Sequence, residues 1–552
     1  MKKLLLRILI LVVSISVVLT FSISGCKAEE VVPIEEEAPA EEEVAEEEEV
    51  EEYKDTIILA ENHIVRSLDP HKLICGQARA LAYQMYEGLV EYNRDNPSEY
   101  LPGLAESWDV NDDGTEWIFH LRKGVKFTTG NELTAEDVKY SFERGMRIEI
   151  VNYPPIAQFL LDPDNPIEII DDYTVKISLS KGFAGLLSLL AVTYMGILDK
   201  TEIQKYITDD DPEGSIWLND NSIGTGPFYL KEWVRNERIV LEKNEDYWGI
   251  KENYHRVPQY KTFISLNIPE PATQAMMLEK GDVDFCKELL TDTLEELKTN
   301  PDIKVEESLI FTLTMFTMNT AFEPFSDPKV RLAIKYAIDY DTILDEIISA
   351  VRMDRPISKP LIGSDEDVLV NYDLDKAKQL MSESNYPDGF EVSYFIGTGI
   401  GLGAEWEVLG IKIQQDLEKI GINANIEQYD WSVMDEKLLS GDFEAMQGWT
   451  GPVFSDTEGC LSAWGRPKSG DLRAIPWEND KIIELADKGL NEIDLEERYK
   501  IYRELSEIFV EDGPVAFIGQ QLVGVAFRSD VYGWEGNPPD RGQCDYARLY
   551  RE

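Results

Sequence analysis

An apolar run from Ile8 to Phe21 is followed by the small residues Ser22 to Gly25, a lone Cys26, and then a stretch, 29–52, that carries 14 Glu, two Pro and neither Lys nor Arg. Neither part can supply a hydrophobic core. The apolar run follows Lys2, Lys3 and Arg7 and falls short of the roughly 20 residues that span a bilayer. A positive end, an apolar middle and a small-residue boundary form the arrangement of a secretory signal. The Glu-rich stretch repels itself and has too few apolar side chains to bury, which keeps it extended and unfolded. Folding is left to the residues from Tyr53 onward.

The tetrapeptide Ile23-Ser24-Gly25-Cys26 resembles the bacterial lipobox, which implies cleavage before Cys26 and a lipid on its sulfur. Residues 1–25 are then a lipoprotein signal peptide. Residues 26–52 are an acidic tether that lifts the folded body off a membrane, held by acyl chains worth about 0.8 kcal/mol per buried methylene. Taking the 14 acids and four bases of the first 52 residues from 105 and 53 leaves 91 acids against 49 bases in the body. That excess argues against a nucleic-acid partner, whose phosphates need a basic face. About 500 residues exceed what one core can hold, so two or three domains are expected.

Metal chemistry has no foothold in the sequence. His63, His71, His120 and His255 are scattered, and Cys75, Cys286, Cys460 and Cys544 show no paired spacing. Neither a metal nor a cofactor is expected. Helices and strands alternate through the body. A strand at "YKDTIILAENHI" precedes helical spacing in "GQARALAYQMYEGLVEY". An Asp-Asp-Gly turn joins two alternating strands in "WDVNDDGTEWIFHLRKGVKF". Thr134 is placed to cap the helix of "LTAEDVKYSFERGM", with Asp137 three residues on. Gly281 ends a helix before a strand. Pro328 opens a helix whose stripe is Val330, Ala333, Ile334, Ala337 and Ile338, and the sequence from Phe390 to Glu427 reads strand, Gly-rich loop, long helix, strand. This alternation predicts α/β domains with mixed sheets.

The segments "SLDPH" (67–71), "YEGLVEY" (86–92), "LTAEDVKYSFER" (133–144), "GTGPFYLKEW" (224–233), "LEKNEDYWG" (241–249), "GDVDF" (281–285), "DPKVRLAIKYAIDYDTI" (327–343) and "IGINANI" (420–426) occur in an order that resembles the peptide/nickel family of extracellular solute-binding proteins, the peptide-binding components of ABC importers. The resemblance covers essentially all of 53–552. It implies a two-lobed periplasmic-binding-protein-like clamp with mixed sheets and an extra domain inserted in the first lobe. Lobe one would comprise 53–95, 224–308 and 512–552, the extra domain 96–223, and lobe two 309–511. It also implies a monomer outside the cytoplasm or in a periplasm, which closes on a peptide and hands it to a permease. Ligand would meet the loop Leu73 to Gln77, with Cys75 and Gly76; the crossover at Thr312 and Thr314; and lobe-two residues Trp406, Trp431, Trp449 and Asp456. Asp456 is the candidate partner of a peptide ammonium group, set against a loop-capping role.

Two other ligand classes follow from the same resemblance. Oligosaccharides of cello or xylo type would stack on the tryptophans, Trp464 among them, unless these fill cores. Nickel chelates are the remaining class. Enzymatic readings have less behind them. Gly399-x-Gly401-x-x-Ala404 with Glu427 fits a loose dinucleotide pattern, but an exported chain meets little nicotinamide cofactor. No stretch singles out a carboxylate pair for glycoside hydrolysis. The expectation is a binding protein, not an enzyme.

Overall fold

Two long strands, Ile303–Met318 and Val515–Arg528, run antiparallel through the middle of one eleven-stranded sheet. The computed structural model describes residues 55–552 other than 64, 74–75, 94–98, 149–160, 162–165, 288, 365–366, 368, 399, 402–403, 453, 469–471, 535 and 538–542. The signal segment, Cys26 and the acidic tether, like Cys75, lie outside the described residues. On one side of the long pair the strand order is Phe285–Cys286, Thr56–Glu61, Thr262–Asn267, Arg238–Lys243, Phe228–Val234; on the other it is Ala445–Thr450, Phe390–Gly397, Ile422–Tyr429. Each side has its own parallel group. Thr56–Glu61 lies parallel to Thr262–Asn267, and Phe390–Gly397 lies parallel to Ile422–Tyr429. The remaining pairs named are antiparallel apart from the short parallel contacts of 285–286 and 445–446, so the sheet is mixed. A separate four-stranded sheet joins Ala105–Val110, Glu116–Leu121, Thr174–Ser178 and Ile167–Asp171.

The cores divide along the long strands. Ile57, Phe119, Phe263, Phe285 and Phe527 belong to one apolar body. Phe316, Ile334, Tyr394 and Trp406 form a second, and Phe311, Phe395, Trp464 and Phe509 a third on the same side. Val515–Arg528 thus contributes Val525 and Phe527 to the first body and its other end to the second and third, whereas Ile303–Met318 serves the second and third at one end and, through Ile303, a small fourth cluster with Ile58 and Ala526 at the other.

Local signals explain the elements that frame the site. Thr134 precedes the helix Ala135–Ile148, and its N–H and hydroxyl both donate to Asp137 Oδ2 at 2.9 Å, so the acid reaches back to the start of the helix as in one half of a capping box. Gly281, at φ +81°, closes the helix Pro271–Lys280 as expected. One expectation fails. Helical spacing through Tyr92 gives way after Met85, and Val90–Tyr92 is a strand paired with Tyr100–Pro102. Gly88 explains the break, because a Cβ there would stand 2.7 Å from the Leu190 carbonyl oxygen, and the β-branched and aromatic residues after it suit a strand. The helix opened by Pro328 ends at Ala337, with Ile338 of the predicted stripe as its C-cap, and Asp339 accepts from the Thr342 N–H and starts a second helix at Tyr340.

The turn before the loop at 73–77 is locked from beneath. Asp69 takes both Arg144 guanidinium nitrogens at 2.7 and 2.9 Å, and Arg144 also donates to His71 Nδ1 at 2.9 Å. That donation fixes the tautomer, leaving Nε2–H to donate to the Gly196 carbonyl. Burial, with the Arg144 charge beside it, holds the His71 imidazole down to about 3, so it stays neutral. "SLDPH" is thus a structural clasp.

Candidate functional site

The ladder between the two long strands slips where they cross. Leu309 pairs with Leu522 and Leu313 with Gln520, so residues 310–312 stand opposite Gln521 alone. The neighbouring strand Ala445–Thr450 begins its own pairing only at Leu313. Such bulges interrupt backbone pairing and re-aim side chains, and they recur beside functional sites. Around the slip, polar groups replace the missing ladder. Ser358 Oγ donates to the Phe311 carbonyl at 2.8 Å, and the Gln520 amide brackets the Lys359 backbone at 2.7 and 2.9 Å.

Thr312 and Thr314, both predicted at this crossover, are fully buried here. Thr314 Oγ1 accepts from Gln521 Nε2 at 2.9 Å. Thr312 Oγ1 has no hydrogen-bond partner among the described residues, an unusual state for a buried hydroxyl. Gly451 lies against the same bulge; a Cβ there would be 3.1 Å from the Phe311 carbonyl oxygen. Gly76 opens the helix Gly76–Met85 and is half-buried.

The segment after Thr450 runs from this bulge to the first apolar body. Asp456 caps the short helix Thr457–Cys460, accepting from the Glu458 N–H at 2.9 Å. Its two carboxylate oxygens are taken by Arg498 Nη1 and Nη2, each at 2.6 Å. The loop-capping role weighed for Asp456 is thus the one the geometry displays, with a bidentate ion pair added. An ammonium group would have to compete with a guanidinium already seated in the better, fork-to-fork geometry. The paired carboxylate also holds Arg498 well above its ordinary value, although burial alone would lower it.

Glu458 is the less satisfied acid. It is 1% exposed, one oxygen accepts from Arg466 at 2.6 Å, and Oε2 has no hydrogen-bond partner among the described residues. Burial pushes its carboxyl up to about 7, Asp456 adds to the rise, and Arg466 and Arg498 pull the other way. A raised folded value means that between about 4.5 and 7 the folded chain keeps a proton the unfolded chain has released. Stability should therefore fall as pH rises through that window, with a slope on the order of 1 kcal/mol per pH unit. Urea unfolding at pH 5 and pH 8 should show this slope in the wild type and lose it in Glu458→Gln, which should be the more stable protein at pH 8.

The tryptophans separate. Trp406 is fully buried, its carbonyl accepts from Gln447, and its ring meets Trp431 edge-on at 5.1 Å between centroids. Trp464 is 1% exposed in the third core. Both rings pack in cores, the alternative already weighed for the tryptophans; the sequence does not distinguish a core ring from a cleft ring. Trp431 and Trp449 are half-buried, with ring centroids 6.4 Å apart. The Gly-rich pattern at 399–404 does not open a helix either. Ile400–Gly401 and Ala404–Glu405 pair as a small hairpin, and the helix starts at Trp406, so its N-terminal amides are not presented by those glycines as a dinucleotide loop needs.

Sequence reasoning missed Tyr92, Tyr100 and Phe183. Tyr92 and Tyr100 sit opposite each other in their hairpin. Their hydroxyls meet the backbone of Ser455, and Phe183 meets Phe454 at 6.2 Å, edge to face. Their separation of more than 250 residues from that segment leaves no local signal.

Residues 99–471 match the family described as bacterial extracellular solute-binding proteins, family 5 Middle. The chain is 28% identical to the "Probable D,D-dipeptide-binding periplasmic protein" of Escherichia coli, over 88% of this chain and 92% of that one. It is also 28% identical to "Heme-binding protein A" of Haemophilus influenzae, over 83% and 86%. Among solved structures, an ABC transporter-associated periplasmic binding protein from Helicobacter pylori in complex with a peptide superposes with a TM-score of 0.76 at 26% identity, covering 91% of this chain and all of that one. The architecture is the two-lobed, mixed-sheet α/β fold of periplasmic binding proteins.

Proposed function

The chain belongs to the bacterial extracellular solute-binding proteins of family 5, and from that premise we propose that it captures peptides between its lobes outside the cytoplasm and delivers them to the permease of an ABC importer. In this reading Cys26 carries the lipid and 26–52 is the tether. The relatives named for peptides support the ligand class.

The observation that carries the reading is the slip at 310–312. A peptide offers a backbone able to pair like an added strand, and the slip leaves strand residues without ladder partners beside a buried, unpartnered Thr312 hydroxyl. Cleft polar groups that read a shared backbone allow one receptor to accept varied side chains, with water filling the remaining space. Closure around the ligand then selects a conformation a permease can recognise.

Calorimetric titration of residues 53–552 with a mixed peptide library, and separately with cello- and xylo-oligosaccharides, tests the ligand class. Heat with sugars and none with peptides would sink the peptide reading. Thr312→Val tests the site. The hydroxyl has no partner among the described residues to lose, so stability should hold or rise slightly, whereas peptide affinity should fall about 2- to 10-fold. Lipid attachment is checked by the mass of the mature N-terminal peptide, which Cys26→Ala should leave without acyl chains.

A further inference from the structure

Phe454 belongs by chain to the second side of the molecule, following the strand Ala445–Thr450 and preceding core residues Cys460, Leu461 and Trp464. Its ring, however, is fully buried in the first apolar body, against Phe183. Next to it, both peptide groups of Ser455 are bound from the first side. The Ser455 N–H donates to Tyr92 Oη at 3.1 Å while that hydroxyl donates to the Ser188 carbonyl at 2.8 Å, and the Tyr100 hydroxyl donates toward the Ser455 carbonyl at 3.4 Å. The two tyrosine rings lie 5.7 Å apart, which holds both hydroxyls on one edge of the hairpin. Gly185 admits the approach, since a Cβ there would reach 3.0 Å from Asp456 Cγ.

We propose that Phe454 and Ser455 form a latch on Tyr92, Tyr100 and Phe183 that holds the two lobes closed without ligand, making these five residues positioning residues for affinity. A buried ring and a fully matched peptide group give the closed form an interaction free energy that an open form lacks, which is the condition for a population shift. Truncating Phe454 should lower the closed-to-open ratio roughly 10- to 100-fold, the worth of burying one large apolar side chain. Apparent ligand affinity should fall in proportion to the closed fraction.

This inference rests on reading the chain as a clamp that closes, but not on what it binds, so its test contains no ligand. Residues 51–552 form one compact unit and serve as the sample for small-angle X-ray scattering. The wild type should scatter as a compact, closed particle, with a radius of gyration of roughly 23 Å. Phe454→Ala should scatter as a larger particle with unchanged circular dichroism. Should Phe454→Ala fail to fold, Tyr92→Phe with Tyr100→Phe removes both Ser455 hydrogen bonds, together with the Tyr92 bond to the Ser188 carbonyl, and should expand the particle in the same direction. A wild type clearly more expanded than that radius would overturn the latch, as would variants that fold and stay as compact as the wild type. A negative peptide titration alongside an expanded Phe454→Ala would reject the peptide reading and leave the latch standing.

Discussion

Asp456→Asn is expected to lower the unfolding free energy by about 3–5 kcal/mol, and adding Arg498→Met should recover most of that loss. Removing one member of a buried ion pair strands the other, whereas removing both leaves a neutral site of similar volume. Asn keeps the cap on the Glu458 N–H, so the loss reports the pair rather than the cap. Arg498 would otherwise retain the Tyr502 hydroxyl at 3.2 Å and the Gly489 carbonyl at 3.1 Å, and neither carries the compensating charge. Urea unfolding followed by tryptophan fluorescence gives all four corners of the cycle. The cycle also interprets binding. If Asp456 acts through Arg498, ligand affinity returns in the double variant along with stability. If affinity stays low while stability returns, the carboxylate meets the ligand directly.

How far the site was legible follows from sequence distance. The caps at Thr134 and Gly281, the strands at 56–61 and 422–429 and the helix before the latter rest on contacts within a few residues, and the sequence displays them. The crossover at Thr312 and Thr314 was legible because the family resemblance supplied it. The role of Asp456 was not, because Arg498 lies 42 positions away on another helix and nothing local distinguishes a paired acid from a free one. The tryptophans fail for a related reason. Trp406 and Trp449 share residue type and neighbourhood, and only packing puts one in the core and leaves the other at its edge. Gly88 shows the same limit in the backbone, since the carbonyl that demands a glycine there comes from Leu190.

Lys335→Met is expected to cost about 2–5 kcal/mol, because the lysine closes the end of a helix that belongs to another part of the chain. Its Nζ is buried and donates to the Val510 carbonyl at 2.7 Å, in the last turn of the helix Leu495–Asp512, and to the carbonyl of its C-cap residue Gly513 at 2.8 Å. Four residues earlier on the same helical face, Arg331 donates to the Asp512 carbonyl at 2.6 Å and carboxylate at 2.7 Å. Two cations thus meet the negative end of a helix dipole, and Met would leave two buried carbonyls without donors at about 1–3 kcal/mol each. The charge state adds a second signature. Burial, with Arg331 nearby, holds the Lys335 amine down to about 7 against an ordinary value of 10.5. Between those values the unfolded chain keeps a proton that the folded chain has released, so wild-type stability should gain on the order of 1 kcal/mol per pH unit from this group as pH rises from 7 to 10. Lys335→Met lacks that contribution, and the gap between the two proteins should widen across the window. A gap that stays constant with pH would mean that Lys335 keeps its proton, fixed as the ammonium by the carbonyls it caps.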